Sequence, residues 1–311
     1  MARLWSKKAL LVKTETTYGT DATPTGGANA VLATNVQITP MEGQEVSRDL
    51  EQPYLGAQPT VIVGRHVSMT YEVELASSGT LGTAPAWGPI LMACGFGETV
   101  TAGASVAYSP ISTGFTSVTK YLNIDGVNHV ALGGRGSVTI RANAQQIPKL
   151  VFTFKGLYLA PAETTLPTVD FSAFKDGIPV TDTNTPTFQL NGVDLAMSEF
   201  ELDMANQVEG RFLVNQERVV IVNRKPTARC NVEAPGLGAF NPFALAGPPA
   251  TYVPLLLTHG VGAGNVVEVA SPRLQIGRPT YTQVQGITHY QLPLVPLPTD
   301  AGNDEVTITV K

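Results

Sequence analysis

The clearest pattern along the chain is an alternation of apolar and polar residues from Thr60 to Ala76. The apolar positions are Val61, Val63, Val67, Met69, Tyr71, Val73 and Leu75, and the polar positions are Thr60, Gly64, His66, Ser68, Thr70, Glu72 and Glu74. A period of two predicts a β-strand with one buried and one solvated face, although Ile62 and Arg65 depart from it. The strand would span roughly 55 Å at about 3.3 Å per residue, which is longer than an ordinary sandwich requires.

A second stretch, Val219–Pro235, repeats the first at an offset of 159 residues, with six identities in the fifteen positions from Val61 to Leu75. Each copy is followed by a short apolar segment with proline near its start and glycine at its end, Ala84–Gly95 and Gly236–Gly247, and this predicts a short helix. Amphipathic strands can look alike by convergence. The shared order of strand and helix nevertheless favours duplication.

Shorter runs complete each copy, so the chain is predicted to be all-β with short flanking helices. The further predicted strands are Val36–Ile38, Thr119–Val130, Val138–Ala142, Leu150–Leu159, Tyr252–Leu257, Val266–Ala270, Arg273–Ile276, Ile287–Pro296 and Glu305–Val310. Residues 13–35 are dense in Thr, Gly and Pro and are expected to form an arm or loop. A Pro-, Thr- and Asp-rich segment, residues 161–180, predicts a boundary between two domains, residues 1–165 with the arm and residues 166–311.

Two connections between paired strands carry many charged residues. Residues 39–58 are predicted to form a long hairpin loop, and loops of that length usually bind something or are disordered. The second copy has a shorter version ahead of Val219. The charged residues are Glu42, Glu45, Arg48, Asp49 and Glu51 in the first loop, and Glu209, Arg211, Glu217 and Arg218 in the second.

The composition narrows the class of protein. At 311 residues the chain is long enough for two domains, and only 14% of it is charged. A net charge of −5 argues against a nucleic-acid-binding surface, which needs a basic footprint. No apolar stretch has the length of a membrane helix and no signal sequence is convincing, so the protein is expected to be soluble where it is made. Cys94 and Cys230 lie in apolar runs and are expected to be buried thiols rather than a disulfide.

Candidate chemistry is weak throughout the chain. The four histidines lack metal-ligand spacing, and Gly133–Gly136 and Gly260–Gly264 resemble phosphate loops only in their glycine content. No nucleophile elbow is present. Glu72 and Glu74 could act as paired carboxylates, but the second copy repeats only Glu74, as Glu233, which favours a hydrated strand face. We therefore predict a protein that is not an enzyme and has no catalytic, cofactor-binding or metal site.

Several segments carry a family resemblance, mainly within residues 8–160. They are KTETTYGTDATPTGGANAV, VQITP leading into the acidic loop, the strand ending in TYEVELA, APAWGPILMACGFGE, and VTIRANAQQIPKLVFTFKG. In these segments the chain resembles the major tail protein, or tail tube protein, of long-tailed bacteriophages, and the second half resembles it more loosely. The resemblance implies β-sandwich or barrel-like domains whose long strands complete a β-barrel between subunits.

The resemblance also implies a function and partners. It implies a structural subunit that polymerises head to tail into stacked rings, which form the conduit for DNA ejection. Because this chain carries the domain twice, each pseudo-hexameric ring would be a trimer. The implied partners are further copies of the chain, tail terminator and distal tail proteins at the ends, and the tape measure protein and then DNA in the lumen, without specific binding and without a membrane. The implied location is the virion tail, after assembly in the bacterial host cytoplasm.

The strand pattern leads to the same expectation. A strand longer than its own sandwich leaves unpaired backbone groups, which another chain must cover. The solvated face would then line the lumen, where carboxylates repel phosphates. The residues expected to face the lumen are Glu72, Glu74, Glu233, Thr70 and Ser68, and Arg229 in the place of Thr70 does not fit this pattern. The charged residues of both loops are expected to make contacts between rings.

Three other classes of protein remain open. A secretion-system tube protein shares this fold logic but usually has one domain per chain. A virion decoration or adhesin sandwich would bind sugars through exposed aromatic residues, for which Tyr54, Phe115 and Tyr281 are candidates. A β-sandwich hydrolase lacks a nucleophile here.

Overall fold

The computed structural model describes residues 2–249 and 251–311, and most of its elements are strands. In chain order the strands are β1 (Lys8–Thr14), β2 (Ala30–Val31), β3 (Thr34–Ser47), β4 (Thr60–Glu74), β5 (Phe96–Thr101), β6 (Ser105–Pro110), β7 (Val118–Ile124), β8 (Val127–Asn143), β9 (Lys149–Glu163), β10 (Thr187–Leu190), β11 (Val193–Asp194), β12 (Met197–Asp203), β13 (Asn206–Leu213), β14 (Gln216–Arg224), β15 (Thr227–Glu233), β16 (Tyr252–His259), β17 (Val267–Ile276), β18 (Thr280–Val284), β19 (Ile287–Pro296) and β20 (Thr307–Val310). The helices are α1 (Gly26–Asn29), α2 (Gly88–Met92) and α3 (Pro242–Ala246). The predicted all-β fold with short flanking helices is confirmed.

The two predicted helices form, but each is shorter than its segment. Both carry proline in the first turn, where its fixed φ suits a helix and its missing N–H costs nothing. The Asn241 side chain accepts a hydrogen bond from the Ala244 N–H at 3.0 Å and so caps α3. In α2, Ile90 and Leu91 are buried in the core.

Strand β4 shows the predicted alternation only where it lies over the core. From Val67 to Leu75 every odd-numbered side chain is at most 2% exposed. Val61 and Val63, which the pattern assigns to the same buried face, are 47% and 43% exposed. That part of the prediction is wrong for the single chain, because this end of the hairpin extends beyond the core.

The first charged connection is shorter than predicted. Residues 39–47 continue β3 and pair with β4 as far as Ser47 opposite Thr60, which leaves residues 48–59 as the loop. Glu42 and Glu45 are therefore strand residues, and bulges on both sides of Glu42 shift the register. The prediction of a loop from residue 39 is wrong because this part of β3 is exposed on both faces and has no apolar alternation to reveal it.

One continuous path of paired strands crosses both halves of the chain. Its order is β3–β4–β9–β8–β12–β15–β19–β18, and every pair is antiparallel. The 17-residue strand β8 pairs with β7 through its first part and with β12 through Thr139–Asn143. Within the described residues this path does not close, because β3 and β18 each have a single strand neighbour.

The same order of pairings occurs twice. In the first half β1 pairs with β2 and β7, β7 with β8, and β8 with β9. In the second half β10 pairs with β11 and β16, and β16 pairs with β17. Strands β17 and β18 together take the place of β8, and both pair with β19, which takes the place of β9. The halves are joined again by β20, which pairs with β6 and with β17. The division into domains at residues 165 and 166 stays a prediction, and the repeated order supports it.

The amino-terminal segment lies against its own sheet. The Glu15 carboxylate accepts hydrogen bonds from Ser117 Oγ at 2.7 Å, Thr119 Oγ1 at 2.9 Å and the Gly133 N–H at 2.7 Å. Residues 15–29 thus form an anchored loop with the short helix α1, whereas Ala30–Val31 pairs with β1 and is a strand that the prediction of a loop over residues 13–35 did not include. The sequence pattern did not indicate β1 ahead of it, because residues 9–12 are buried on both faces and show no alternation.

The core of the first half contains a buried lysine. Lys120 is 0% exposed, its Nζ donates to the Tyr71 hydroxyl at 2.7 Å, and it lies over the Phe154 ring at 2.7 Å from the centroid. Burial lowers the pKa of Lys120 well below its usual value and raises that of Tyr71. Lys120 lies four residues before the end of β7, and the residue four before the end of β16, the matching strand of the second half, is Leu255. Leu255 is also buried.

Candidate assembly surfaces

The eight-stranded path has one apolar face and one polar face. On β9, for example, Leu150, Phe152 and Phe154 are buried, while Lys149, Thr153 and Lys155 lie on the opposite face. The charged residues of the polar face over the central part of the path include the acids Glu72, Glu74, Glu199, Glu201, Asp203 and Glu233 and the bases Arg141, Lys149, Lys155 and Arg229. This face therefore carries both signs, with carboxylates in excess.

A lysine of the neighbouring strand balances the negative charge of Glu72. Its Oε2 accepts from Lys149 Nζ at 2.7 Å and from Asn35 Nδ2 at 2.9 Å. Burial opposes ionisation of Glu72, but these donors outweigh it, and the pKa of Glu72 is lowered. The carboxylate is therefore an anion at neutral pH with its charge balanced locally.

The other residues expected in the lumen also lie on the polar face. Glu74 accepts a hydrogen bond from the Gly177 N–H at 2.8 Å, so the segment connecting the two halves reaches its carboxylate. Glu233 and Thr70 are exposed, and Ser68 is half-buried. The structure brings all these residues onto one face, but their orientation towards a lumen stays a prediction.

An acidic residue bridges two arginines where the two halves meet. The Glu201 Oε2 accepts from Arg141 Nε across the β8–β12 junction at 3.0 Å and from Arg229 Nη2 at 3.3 Å. Arg229 in the place of Thr70 thus has a partner that the first copy lacks. Of the bases on this face only Arg229 was noted from the sequence, although the alternation in KLVFTFKG already places Lys149 and Lys155 on the face opposite the apolar residues.

The hairpin formed by β3 and β4 exposes an apolar surface, which we call the first hairpin surface. Its exposed apolar residues are Val46, Leu50, Tyr54, Leu55, Val61, Ile62 and Val63. Polar contacts lie among them: Glu42 Oε2 is 3.2 Å from His66 Nε2, and the Ser47 hydroxyl donates to Asp49 at 2.6 Å. Apolar side chains grouped in this way usually mark a contact surface.

The second hairpin, formed by β13 and β14, bends away from β12 and β15 and packs against the first half. The Phe212 ring stacks on His66 with centroids 5.8 Å apart and covers Gly64, whose φ of +63° suits glycine. Arg135 Nη1 donates to the Val219 carbonyl at 3.0 Å, and the Val219 N–H donates to the Tyr18 hydroxyl at 2.5 Å.

The charged residues expected in the second loop are strand residues of this hairpin. Glu209 and Arg211 belong to β13, while Glu217 and Arg218 belong to β14. Arg211 lies opposite Arg218 across the pair, and the Glu209 carboxylate accepts from Gln207 Nε2 at 3.1 Å. The prediction that these residues form a loop is wrong, because the strands continue to a tight turn at residues 214 and 215. Whether they contact another ring stays a prediction.

Other kinds of site are not evident in the described part of the chain. Residues 2–249 and 251–311 contain no group of three or more His, Cys, Asp or Glu side chains placed to hold a metal ion. In the same residues no helix has the length and apolar character needed to cross a membrane. Cys94 and Cys230 are free and buried, as predicted.

A polar sheet face, an exposed apolar hairpin and two open sheet edges are features of a protein that assembles with further chains. The family model described as phage tail tube protein matches residues 5–310. The chain belongs to the phage tail tube protein family, and the resemblance found in its sequence is confirmed. No curated protein matches it.

Membership of this family makes the chain a phage major tail protein and a structural component of the virion tail. It implies self-assembly into a tube together with other tail proteins, and it points to a role without catalysis. The match favours the tail tube over the secretion-system, adhesin and hydrolase alternatives.

Proposed function

We propose that three copies of this chain form each ring of the tail tube and that stacked rings form the conduit for DNA ejection. The observation that carries the proposal is the eight-stranded path with an open edge at each end. Open edges expose unpaired N–H and C=O groups, and head-to-tail joining of one edge to the other closes when the rotation divides the circle. A chain that repeats one order of pairings in residues 1–165 and 166–311 makes a trimeric ring pseudo-hexameric.

The dimensions of such a ring suit a DNA duplex. Three chains contribute about 24 strands, which at ~4.8 Å spacing and ~40° tilt give a backbone diameter of roughly 50 Å. Side chains would narrow this diameter and still leave an open channel. In this arrangement four strands of each half line the wall, namely β3, β4, β9 and β8 in the first and β12, β15, β19 and β18 in the second.

The polar face lines the lumen in this proposal. The apolar face is occupied by the core of the chain, so the face with Glu72, Glu74, Glu233, Thr70 and Ser68 is the one that can meet water. Lys149, Arg141 and Arg229 each contact a carboxylate, which leaves them poorly placed to bind phosphates, and the carboxylates of the face outnumber the remaining base Lys155. The tape measure protein and then DNA could therefore pass without being held.

The two hairpins make the contacts between rings. The first hairpin surface carries Glu42, Glu45, Arg48, Asp49 and Glu51 beside its exposed apolar residues, so both apolar burial and charge pairing are available to a copy in the next ring. Glu209, Arg211, Glu217 and Arg218 serve in the same way on the second hairpin. Tail terminator and distal tail proteins complete the ends, and assembly takes place in the bacterial host cytoplasm.

Negative-stain imaging of the purified protein at increasing concentration tests the proposal. We expect hollow rods, and a protein that stays monomeric at every concentration would remove the conduit function.

Replacing residues 48–59 by a two-residue Asn-Gly turn should give rings that fail to stack into long rods. Rods of normal length from this variant would exclude the first hairpin as an inter-ring contact.

A point substitution separates the hairpin surface from a general effect of added charge. Leu55→Asp should shorten the rods, because it places a carboxylate in the apolar part of the first hairpin surface. Val261→Asp adds a carboxylate at an apolar loop residue elsewhere, which is exposed although less fully than Leu55, and serves as the control. Equal shortening by both variants would contradict a specific role of the hairpin.

A further inference from the structure

We propose that the β8–β12 junction inside the chain is the template for the junction between chains, in which β18 of one copy pairs antiparallel with β3 of the next copy and Thr282 lies opposite Gln37. The inference rests on the proposed ring and deepens it by naming the two edges and their register. Within the single chain, β8 is the last strand of the first four on the path and β12 is the first of the second four. Their counterparts at the open ends are β18 and β3.

The register follows from residues that occupy the same place in the two copies. Thr70 and Arg229 are separated by the repeat offset of 159 residues. Gln37 lies opposite Thr70, and Glu201 lies opposite Arg229. Gln37 therefore matches Glu201, and one residue further along Ile38 matches Leu202.

The same count on the other side fixes β18. Glu74 lies opposite Lys149, which lies opposite Arg141. In the second copy Glu233 lies opposite His289, which lies opposite Thr282. Thr282 therefore matches Arg141, and its neighbour Tyr281 matches Ile140. In the internal junction Arg141 lies opposite Glu201, and Ile140 lies opposite Leu202. Between chains, Thr282 would therefore face Gln37, and Tyr281 would face Ile38.

The exposure of the edge residues fits this register. Ile140 and Leu202 are both 0% exposed, because each strand covers the other. Tyr281, on the core side of β18, is 61% exposed, although its ring lies 5.5 Å from those of Phe243 and Tyr290. Ile38 also packs on the core and is only partly covered. The open edges thus leave uncovered the two apolar positions that the internal junction buries.

The β3 edge is protected in the single chain. Lys8 Nζ donates to the Val36 carbonyl at 2.9 Å, and Pro40 follows in the same strand. Lysine and proline at an edge discourage indiscriminate pairing of sheets. In the proposed junction Lys8 gives up this carbonyl to the incoming strand, as a flexible side chain can.

The polar sides of the two junctions differ in charge. The internal junction carries the Arg141–Glu201 ion pair at 3.0 Å, whereas its counterparts Thr282 and Gln37 are uncharged. If β8 paired with β3 of another copy instead of with β12, Arg141 would face Gln37 and lose its carboxylate partner. This mismatch disfavours exchanged pairings, and the uncharged ring junction should depend little on ionic strength.

A pair of cysteines tests the register. Directly opposed residues of antiparallel strands have Cβ atoms about 4.5–5.5 Å apart, which a disulfide can bridge with small adjustments. In Gln37→Cys/Thr282→Cys the two positions stand at opposite ends of the eight-stranded path, so they meet only between copies, and the native cysteines are buried. After oxidation of assembled rods, a non-reducing gel should show a ladder that ends at three chains.

The control shifts one cysteine by two residues on the same face, in Gln37→Cys/Val284→Cys, and should give at least fivefold less cross-linked product. Mixing the single variants Gln37→Cys and Thr282→Cys should give products of two chains only, and this arm keeps the test open if the double variant does not fold. Rods that form without cross-links, or with equal cross-links in the control, would overturn the register and leave the ring standing. Failure of the unmodified chain to form any rods would overturn the ring and the junction together.

Discussion

The two long hairpins share one sequence pattern but take different courses. In the first, β3 and β4 run without a break past the core. In the second, β14 ends at Arg224, β15 begins at Thr227, and the outer part folds back on the first half. Pro226 stands between these strands in the place of Val67. Because proline has no N–H for the strand ladder, this substitution explains why one hairpin stays extended while the other bends.

The two hairpins carry an arginine at the same position of the repeat, Arg65 and Arg224, but the two side chains have different environments. Arg224 Nε donates to Glu305 Oε1 at 2.5 Å and its Nη1 to the Ile111 carbonyl at 2.8 Å, with side chains of Arg224 and Glu305 only 14% and 5% exposed. Arg65, its counterpart, is exposed and lies over the Tyr158 ring at 5.0 Å. Duplication has left this position of the first hairpin free of such contacts, whereas the base of the second hairpin holds the two halves together.

The largest expected effect comes from removing the buried arginine. Arg224→Met should lower the free energy of unfolding by about 3 kcal/mol, because it leaves the Glu305 carboxylate buried without its cation. Arg65→Met, the matched change in the first hairpin, should cost about 0.5–1 kcal/mol through the lost contact with Tyr158. Urea unfolding of the unassembled chain measures both. Equal losses would contradict the different roles assigned to the two arginines.

A smaller loss of stability is expected from a change in the core of the first half. Tyr71→Phe should destabilise the chain by about 2 kcal/mol, because the buried Lys120 Nζ loses the acceptor that it contacts in the native core. Adding Lys120→Leu should recover most of this loss, since it gives the first half the leucine that the second half has at Leu255. Thermal unfolding of both variants tests this. A double variant no more stable than the single one would show that Lys120 stabilises the core in another way.

The pH dependence of stability should distinguish the same two cores. Because burial lowers the pKa of Lys120, the unfolded chain binds one more proton than the native chain between that lowered pKa and about 10.5. Stability should therefore rise with pH in this window, by at most about 1.4 kcal/mol per pH unit. Below the lowered pKa this contribution is absent. In the Lys120→Leu/Tyr71→Phe variant the rise should disappear in this window, and an unchanged slope would assign it to other groups.

The smallest effect is expected on the polar face of the internal junction. Glu201→Gln removes the partner of Arg141 and Arg229 and should cost about 0.5–1 kcal/mol at low salt and less at high salt, because these ion pairs are partly solvated. Gln37→Glu, the matched change at the open edge, should leave the stability of the unassembled chain unchanged. A salt-independent loss in the first variant would argue against an electrostatic junction.

Much of the fold could be predicted where one strand carries its own signal. The buried side of β4 from Val67 to Leu75 follows from alternation, and both helices follow from their proline and glycine positions. The partners of a strand cannot be deduced in this way, since Glu72 meets Lys149 from a strand 77 positions away in sequence. The junction of β8 with β12 was hidden for the same reason, because alternation defines the faces of a strand but not its neighbours.

The central claim is that the open edges of β3 and β18 are completed by sister chains, three to a ring. Electron cryomicroscopy of the assembled rods tests it most directly. We predict rings of three chains with an unbroken wall of strands, in which Glu233 points into the channel and Tyr281 is covered by the next copy. Rings of six chains, or rods in which β3 and β18 remain unpaired, would contradict it.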